Sequence, residues 1–445
     1  MKKNVRIGSG AGYSGDRISP AVELAEKGEI GYLVFECLAE RTIALAQQLK
    51  IKKPQEGYDP LLVDRMSACI PVCKKRNIRI ISNMGAANPV AGLEKIIETA
   101  GTLGIRGLKV AAIEGDNVLD FIRGSNLKFI ETGTEIRSLG DRIISANAYL
   151  GALPVVEALH KGADIIITGR VADPSLFIAP LIYEFNWLFD NYNILGQATV
   201  MGHLLECAGQ VTGGYFADPG YKDVPELARI GFPLAEVNND GAFIITKVKG
   251  SGGAVTEATC KEQLLYEIHD PAAYITPDVI ADFTGVRISE KEPDVVEVKG
   301  GRGTAKTGFY KVSVGYQDSY IGEGQISYGG PGCVEKANLS LKIVRERLKF
   351  TGINISEARF DIIGLNSLHG DKLSHGDPYE VRVRVTARTD TLKDAIRIGN
   401  EVETLYTNGP AGGGGVVKSA REVIAIGSTL ISSDKAKHEI IIKST

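Results

Sequence analysis

The sequence has no apolar run approaching the ~20 residues that a membrane-spanning helix needs. Its first residues, Met1 to Asn4, are polar and lead into a glycine-rich loop instead of the apolar segment of a secretory signal. Lys and Arg total 51 against 54 Asp and Glu, so there is no basic excess for binding nucleic acid. These absences predict a cytoplasmic protein with no membrane or nucleic-acid partner.

Cysteine and histidine are also scarce. Six cysteines scattered through 445 residues are typical of reduced thiols and not of a disulfide framework. No two of the six histidines have H-x-x-x-H spacing, and we expect no metal site. The G-x-S-x-G elbow of α/β hydrolases is missing, which argues against a serine hydrolase triad. The sequence identifies no cofactor.

Short apolar runs alternate with amphipathic segments through the first half of the chain. Such runs, separated by helical patterns, predict a parallel βαβ sheet covered on both faces, either doubly wound or closed into a barrel. Alternating polar and apolar strands dominate after about residue 288 and predict an α+β arrangement. We therefore expect an α/β ligand-binding domain over 1–250 and a strand-rich α+β domain over 251–445 with a C-terminal glycine-rich loop. The six strand patterns of the first half are Val5–Gly8, Tyr32–Glu36, Arg79–Ser82, Gly107–Ala111, Arg142–Ala146 and Asp164–Thr168.

The first strand runs directly into a glycine-rich loop. Its glycines match G-x-G-x-x-G, but the helix begins only near Ser19, so the loop is longer than the dinucleotide fingerprint allows. Free backbone N–H groups beside a helix N-terminus favour an anion such as phosphate or carboxylate. An anion-binding loop, a dinucleotide site and a purely structural turn all stay open. The candidate anion-binding residues of this loop are Gly10, Gly12, Tyr13, Ser14 and Gly15.

Polar side chains follow the other strands of the predicted sheet. The carboxyl ends of parallel strands meet at one edge, so these side chains are expected to line one cleft. An arginine there can bind a carboxylate or phosphate with two N–H groups, and a neighbouring acid can orient it or transfer protons. The alternative is a structural ion pair between Arg170 and Asp173. Candidate substrate-binding residues are Asn83, Asn88, Asn147 and Arg170, and candidate catalytic residues are Glu36 and Asp173.

The middle of the chain adds two further candidates. The segment 211–223 combines turn residues with aromatics, two acids and a lysine, which is unusual for a solvated linker. We expect this loop to reach the cleft, with Asp218 or Lys222 as the group that moves a proton; the alternative is a structural loop. His203 and Glu206 lie one helical turn apart and form either an acid–base pair or a buried structural pair.

Several of these motifs together resemble the acyclic terpene utilisation family, the AtuA-type proteins, from about residue 4 to about residue 430. The resemblance implies a link to the bacterial degradation of acyclic terpenes, in which intermediates are carried as acyl-CoA thioesters. It also implies a small companion subunit as a possible partner, because members often occur beside one. It supplies no catalytic residue. The motifs that carry it are Arg6–Arg17, Leu33–Thr42, Val211–Pro225, Gln263–Ile268 and Asn408–Gly415.

Two functions are compatible with these features. The first is a catabolic enzyme that moves a proton next to the carbonyl of a small carboxylic acid or CoA thioester, as a hydro-lyase, hydratase or isomerase does. The second is a non-catalytic acyl-CoA-binding subunit of a carboxylase-associated complex. Charged residues at the strand ends favour the enzyme. A homo-oligomer is expected in either case.

Overall fold

The computed structural model describes residues 4–373 and 376–445. Within these ranges the chain forms two compact units. The first comprises the described residues up to Gly315 together with Ile426–Thr445, and the second comprises Tyr316–Ala425. The functional division near residue 250 stays a prediction.

The first half of the chain alternates strands and helices, as its sequence pattern predicts. The strand Arg79–Ser82 has the predicted bounds, and the other five predicted strands differ from the observed ones by one to three residues at one or both ends. The elements are β1 (Asn4–Ala11), α1 (Ser19–Lys27), β2 (Tyr32–Phe35), α2 (Glu40–Lys52), α3 (Leu62–Arg76), β3 (Arg79–Ser82), α4 (Pro89–Thr102), β4 (Lys109–Glu114), α5 (Leu119–Arg123), β5 (Ile143–Ala148), α6 (Leu153–His160), β6 (Ile165–Thr168), α7 (Asp173–Phe185) and α8 (Tyr192–Glu206).

The second half is richer in strands. Its elements are β7 (Pro233–Asn238), β8 (Phe243–Lys247), α9 (Glu257–Leu265), β9 (Tyr274–Ile275), β10 (Ile280–Asp282), β11 (Arg287–Glu292), β12 (Val295–Lys299), β13 (Arg302–Thr304), β14 (Phe309–Gly329), α10 (Cys333–Phe350), β15 (Ile355–Ile363), β16 (Glu380–Thr389), α11 (Leu392–Glu403), α12 (Leu405–Asn408), β17 (Gly414–Ser432) and β18 (Glu439–Ser444). Short 3₁₀ turns occur at Ile136–Arg142, Ala208–Gln210, Leu227–Arg229, Asp371–Leu373 and Ser433–Lys435.

A mixed sheet of ten strands dominates the first unit, in the order β11-β12-β8-β7-β1-β2-β3-β6-β4-β18. The five strands from β1 to β4 in that order are mutually parallel, and the strands on either side of them are antiparallel. No pairing within the described residues joins β11 to β18, so the sheet is open and the barrel alternative does not form.

The strand β5 corrects one expectation. Its apolar sequence suggested a member of the parallel sheet, but it pairs with β14 instead. An apolar run shows that a strand is buried without showing which strand lies beside it, so the partner is decided by tertiary packing. Asn147, near the end of β5, therefore belongs to a strand outside the parallel sheet.

The parallel strands are buried because they are apolar on both faces. Leu33 and Phe35 of β2 point into a core that also contains side chains of α1, α3 and α4. The helix α7 packs against β1 and β2, and α6 packs against β4. Burial of such side chains contributes roughly 25 cal/mol per Å² of apolar surface removed from water. This core holds the carboxyl ends of the strands in fixed positions.

The second unit has its own core. Its order β14-α10-β15-β16-α11-β17, with strands arranged β15-β16-β14-β17, is a split β-α-β motif. Alternate residues of β16, among them Val381, Val383 and Val385, pack with the apolar faces of α10 and α11. The antiparallel, strand-rich character predicted for this part of the sequence is confirmed.

Two further observations bear on the expectations from composition. Every cysteine is a free thiol. None of the helices within residues 4–373 and 376–445 combines the length and the apolar character that crossing a lipid bilayer requires.

Gly12, the residue directly after β1, provides a test of how tightly the end of this strand is packed. A Cβ at this position would lie 2.5 Å from the carbonyl carbon of Cys207, which follows α8. Because backbone cannot yield as a flexible side chain does, we expect Gly12→Ala to lower the free energy of unfolding by about 1–3 kcal/mol. Urea denaturation followed by circular dichroism measures this.

The matched control is Gly101→Ala, because a Cβ at Gly101 would meet nothing within 4 Å. Gly101 is helical, so this change should be neutral or stabilising by up to about 1 kcal/mol. Equal stabilities for both variants would show that β1 and the segment after α8 are not in close contact.

Candidate functional site

The glycine-rich loop after β1 is closely packed, and one of its own side chains bonds to its backbone N–H groups. A Cβ at Gly10 would lie 2.6 Å from the ring of Phe35, which accounts for a glycine there. The carboxylate of Asp16 accepts hydrogen bonds from the N–H groups of Gly12 (3.0 Å) and Arg17 (2.8 Å). An intramolecular carboxylate therefore occupies two of the donors that an external anion would use. An anion-binding role for Gly10, Gly12, Tyr13, Ser14 and Gly15 stays a prediction.

Arg65 holds this loop in place and was not singled out from the sequence. Its side chain is fully buried and donates hydrogen bonds to the carbonyl oxygens of Ser14 (2.8 Å) and Asp16 (3.0 Å) and to Cys37 Sγ (3.3 Å). The carboxylate of Asp59 lies 3.6 Å away. A sequence signal existed, because an arginine within the apolar stripe of α3 needs a buried partner.

The ends of β2 and β3 meet through Glu36 and Asn83. The Asn83 amide donates to Glu36 Oε1 (2.8 Å) and accepts from the N–H of Cys37 (2.7 Å), while the N–H of Leu38 also donates to Glu36 Oε1 (2.9 Å). Burial raises the pKa of Glu36 well above its usual range, and the charge of Asp173 adds to this effect. Arg170 and the two hydrogen bonds oppose it only in part. The neutral form of Glu36 is therefore favoured over a wider pH range than that of an exposed glutamate.

Arg170 is at the centre of the cluster. Its guanidinium is 2% exposed, donates to the carbonyl oxygen of Leu38 and to Asp173 Oδ1 (2.5 Å), and lies 4.1 Å from the ring centroid of Tyr149. A buried guanidinium needs such acceptors, because an unpaired buried charge costs several kcal/mol. The predicted pairing of Arg170 with Asp173 is present.

Asp116 fixes the backbone beneath this arginine. Its Oδ2 accepts from the N–H of Arg170 (2.9 Å) and from the side-chain amide of Asn147 (2.8 Å). A Cβ at Gly169 would lie 2.5 Å from Asp116 Oδ1, so this approach requires a glycine. Burial raises the pKa of Asp116 to about 6, although both hydrogen bonds favour its ionised form. Asn147 thus supports the site through Asp116.

Asp173 is an acid of the cluster that solvent reaches. It occupies the first turn of α7, and its side chain keeps 32% of its surface exposed. Burial raises the pKa of Asp173 to about 7, with Glu206 and Glu40 adding to the rise and Arg170 opposing it. A carboxyl group with a pKa near neutrality can both accept and donate a proton.

Tyr149 links Arg170 to a fourth acid. Its hydroxyl donates to Glu40 Oε1, and the Nζ of Lys311 lies 3.2 Å from the same oxygen. Burial alone would raise the pKa of Glu40, but the Tyr149 hydrogen bond and the Arg170 charge outweigh it and lower that pKa to about 2. Glu40 is thus ionised at neutral pH, and the pKa values of Glu40 and Glu36 are shifted in opposite directions.

His203 and Glu206 form the predicted pair, with His203 Nδ1 2.8 Å from Glu206 Oε1. The imidazole is buried beside the rings of Tyr274 and Phe283. Burial lowers the pKa of His203, but the charge and hydrogen bond of Glu206 outweigh this and raise it overall. Among the described residues, the buried Oε2 of Glu206 and Oε1 of Gln263 have no hydrogen-bond partner, so both are available to a donor.

The remaining candidates lie apart from this cluster. Asp218 and Lys222 are exposed on a hairpin and exchange backbone hydrogen bonds with each other. Lys222 Nζ lies 2.5 Å from Glu262 Oε2 on α9 and 4.7 Å from the ring centroid of Phe216. The side-chain amide of Asn88, which precedes α4, donates hydrogen bonds to the carbonyl oxygens of Pro54 and Glu56 in the loop after α2. Catalysis by Asp218 or Lys222 and binding by Asn88 stay predictions.

The structure thus brings together Glu36, Asn83, Asn147, Arg170 and Asp173. Sequence reasoning did not single out four residues that complete the cluster, namely Glu40, Arg65, Asp116 and Tyr149. In residues 4–373 and 376–445 no group of three or more His, Cys, Asp or Glu side chains is arranged to hold a metal ion.

Comparison with known proteins gives one match. The model of a protein family described as "Acyclic terpene utilisation family protein AtuA" matches residues 5–442. No curated protein and no solved structure matches the chain.

The role of Arg170 can be tested through stability at two pH values. Arg170→Met keeps much of the side-chain volume but leaves ionised carboxyl groups buried without their cation. We expect a loss of about 3–5 kcal/mol in the free energy of unfolding at pH 8. The loss should be smaller at pH 5, because Asp173, with a pKa of about 7, is then protonated in the folded state and gains little from a cation. Urea denaturation at both pH values measures the difference.

Arg137→Met is the control, because Arg137 pairs with Glu135 at the surface with both side chains about half exposed. It should cost at most about 1 kcal/mol at either pH. A pH-independent loss in Arg170→Met would mean that this arginine does not control the ionisation of its neighbours.

Proposed function

The chain belongs to the acyclic terpene utilisation family AtuA. We propose that it acts in the breakdown of acyclic terpenes, as an enzyme that moves a proton next to a carbonyl group. The substrate class is a carboxylic acid or its CoA thioester, and the reaction is a hydration, a dehydration or a double-bond isomerisation. The observation that carries this proposal is the cluster of carboxyl groups around Arg170, whose pKa values are shifted in different directions.

Asp173 is the proposed base. Proton abstraction next to a carbonyl needs a group whose pKa lies near the working pH, and burial raises the pKa of Asp173 to about 7. Its partial exposure leaves it accessible to a bound molecule. Arg170, 2.5 Å away, fixes the orientation of its carboxylate.

Glu36 is the proposed acid. Its Oε1 accepts two N–H hydrogen bonds, so the proton of the neutral carboxyl resides on Oε2. A neutral carboxyl donor and the charge of Arg170 would together stabilise the negative charge that develops on a carbonyl oxygen when the neighbouring carbon loses a proton. The same pair of roles serves the loss of a hydroxyl group, because the acid protonates the leaving oxygen.

The sheet topology supports this location. The chain leaves β3 through α4 toward β4, and β6 lies between β3 and β4 in the sheet. The helix α4 shares a core with α1 and α3, whereas α7 follows β6 and packs against β1 and β2. We infer a doubly wound arrangement with its switch point between β3 and β6, which is where ligands bind in open α/β sheets. Asn83 and Arg170 follow these two strands.

Exchange of α-protons with solvent tests this proposal without knowledge of the full reaction. The protein is incubated in D₂O with aliphatic acyl-CoA thioesters and the corresponding free acids, and deuterium at the carbon next to the carbonyl is measured by mass spectrometry. The wild type should catalyse exchange, and Asp173→Asn should slow it by about 100-fold or more, the usual contribution of a general base. Asp141→Asn, which changes an exposed acid, is the control.

Two results would contradict the assignment. Loss of exchange in Asp218→Asn or Lys222→Ala, with Asp173→Asn active, would place the base on the exposed hairpin. Absence of exchange in the wild type with every thioester, although the thioesters bind, would favour a non-catalytic acyl-CoA-binding subunit.

A further inference from the structure

A cavity of about 780 Å³ lies beside the carboxyl ends of β2 and β3. The helix α2 forms one side of it with Leu45, Ala46 and Leu49, and Tyr58 and Met84 lie on the other sides. Leu45 and Leu49 remain 45% and 37% exposed, so apolar surface faces an open space instead of a packed core. A volume of this size is in the range of cavities that bind small molecules.

This cavity shares a wall with the Arg170 cluster. Cys37, Leu38 and Asn83 line it. The backbone of Leu38 also donates to Glu36 and accepts from Arg170, and the Asn83 amide holds Glu36. A molecule in the cavity would therefore lie against the segment that positions the proposed acid.

The helix α2 connects the cavity with the Arg170 cluster. Its first residue, Glu40, accepts a hydrogen bond from Tyr149 in the cluster, and its next two turns carry the side chains that face the cavity. A small apolar cluster separate from the main core, formed by Leu38, Ile43 and two alanines, holds this helix in place. The position of α2 thus sets the width of the cavity.

The lining is mostly carbon, and its buried ionic group is already paired. Asp59 lines the cavity but lies 3.6 Å from Arg65, and Lys95 is paired with Glu98 at 2.6 Å. Glu56, the third charged residue of the lining, is paired with Lys53 at 2.9 Å, and Asp59 Oδ2 has no hydrogen-bond partner among the described residues. Most of what the cavity offers to an occupant is therefore apolar contact.

We propose that this cavity holds the aliphatic chain of the ligand and that Leu45, Ala46 and Leu49 of α2 determine the chain length it accepts. This inference rests on the proposed function, in which the carbonyl end of the same molecule lies at the Arg170 cluster. Side chains on α2 that do not line the cavity should not affect the length of the ligand chain that it accepts.

Binding of a homologous series tests this inference without an activity assay. Isothermal titration calorimetry of the full chain with straight-chain CoA thioesters from butanoyl to dodecanoyl measures affinity against length. Each buried methylene should tighten binding about fourfold until the cavity is full, after which the affinity levels off. Ala46→Phe should move this limit to shorter chains, and Leu49→Ala should move it to longer chains.

Ile51→Ala is the matched control, because Ile51 is on the same helix, is 64% exposed and does not line the cavity. Ile51→Ala should leave the chain length at which the affinity levels off unchanged. Affinity independent of length in the wild type, or the same limit in Ala46→Phe and Leu49→Ala as in the wild type, would overturn the inference. Circular dichroism of each variant checks that α2 is folded.

Asp173→Asn separates this inference from the proposed function. It should keep the full dependence of affinity on chain length while losing proton exchange. A wild type that shows the length limit but no exchange would support the cavity assignment and overturn the proposed reaction.

Discussion

The buried positive charge of Arg170 is the constraint on which the rest of the site depends. A guanidinium that is 2% exposed must be surrounded by acceptors, and here these are the carbonyl oxygen of Leu38, the carboxylate of Asp173 and the face of Tyr149. The acids around it cannot all ionise, because burial penalises each charge. Glu40 keeps its charge with the help of Tyr149, while the pKa values of Glu36 and Asp173 rise. Arg170 lowers the pKa of all three carboxyl groups, and differences in burial, neighbouring acids and hydrogen bonding make their net pKa shifts differ.

The fold provides the rigidity that this arrangement requires. Asp116 accepts a hydrogen bond from the backbone N–H of Arg170, and Asn83 donates one to the side chain of Glu36, so residues that follow β4 and β3 hold both functional residues. Close packing at Gly12 and Gly169 explains two glycines by contact alone, without any ligand. The glycine-rich loop, which looks like the most functional segment of the sequence, is held by Arg65 and by its own Asp16.

The sequence predicts the parts that depend on local pattern. Strands such as Arg79–Ser82 follow from short apolar runs, and the convergence of Glu36, Asn83 and Arg170 follows from the rule that parallel strands end at one edge. It does not predict that β5 pairs with β14, because apolar runs do not encode their neighbours. It also does not single out Tyr149, Glu40 or Asp116, whose importance arises only when distant segments meet. The pairing of His203 with Glu206 is predictable because helical spacing alone brings them together.

The central claim is that the pKa of Glu36 is held well above its usual range and that Asp173 titrates near pH 7 in the folded protein. Carbon-13 NMR of side-chain carboxyl groups, titrated from pH 4 to pH 9 and assigned with Glu36→Gln and Asp173→Asn, measures both directly. The account predicts that the midpoint of the Glu36 signal lies well above the usual range of a glutamate and that the Asp173 signal shifts with a midpoint at about 7. If both signals have reached their ionised positions by pH 5, the buried-charge account of this site is contradicted.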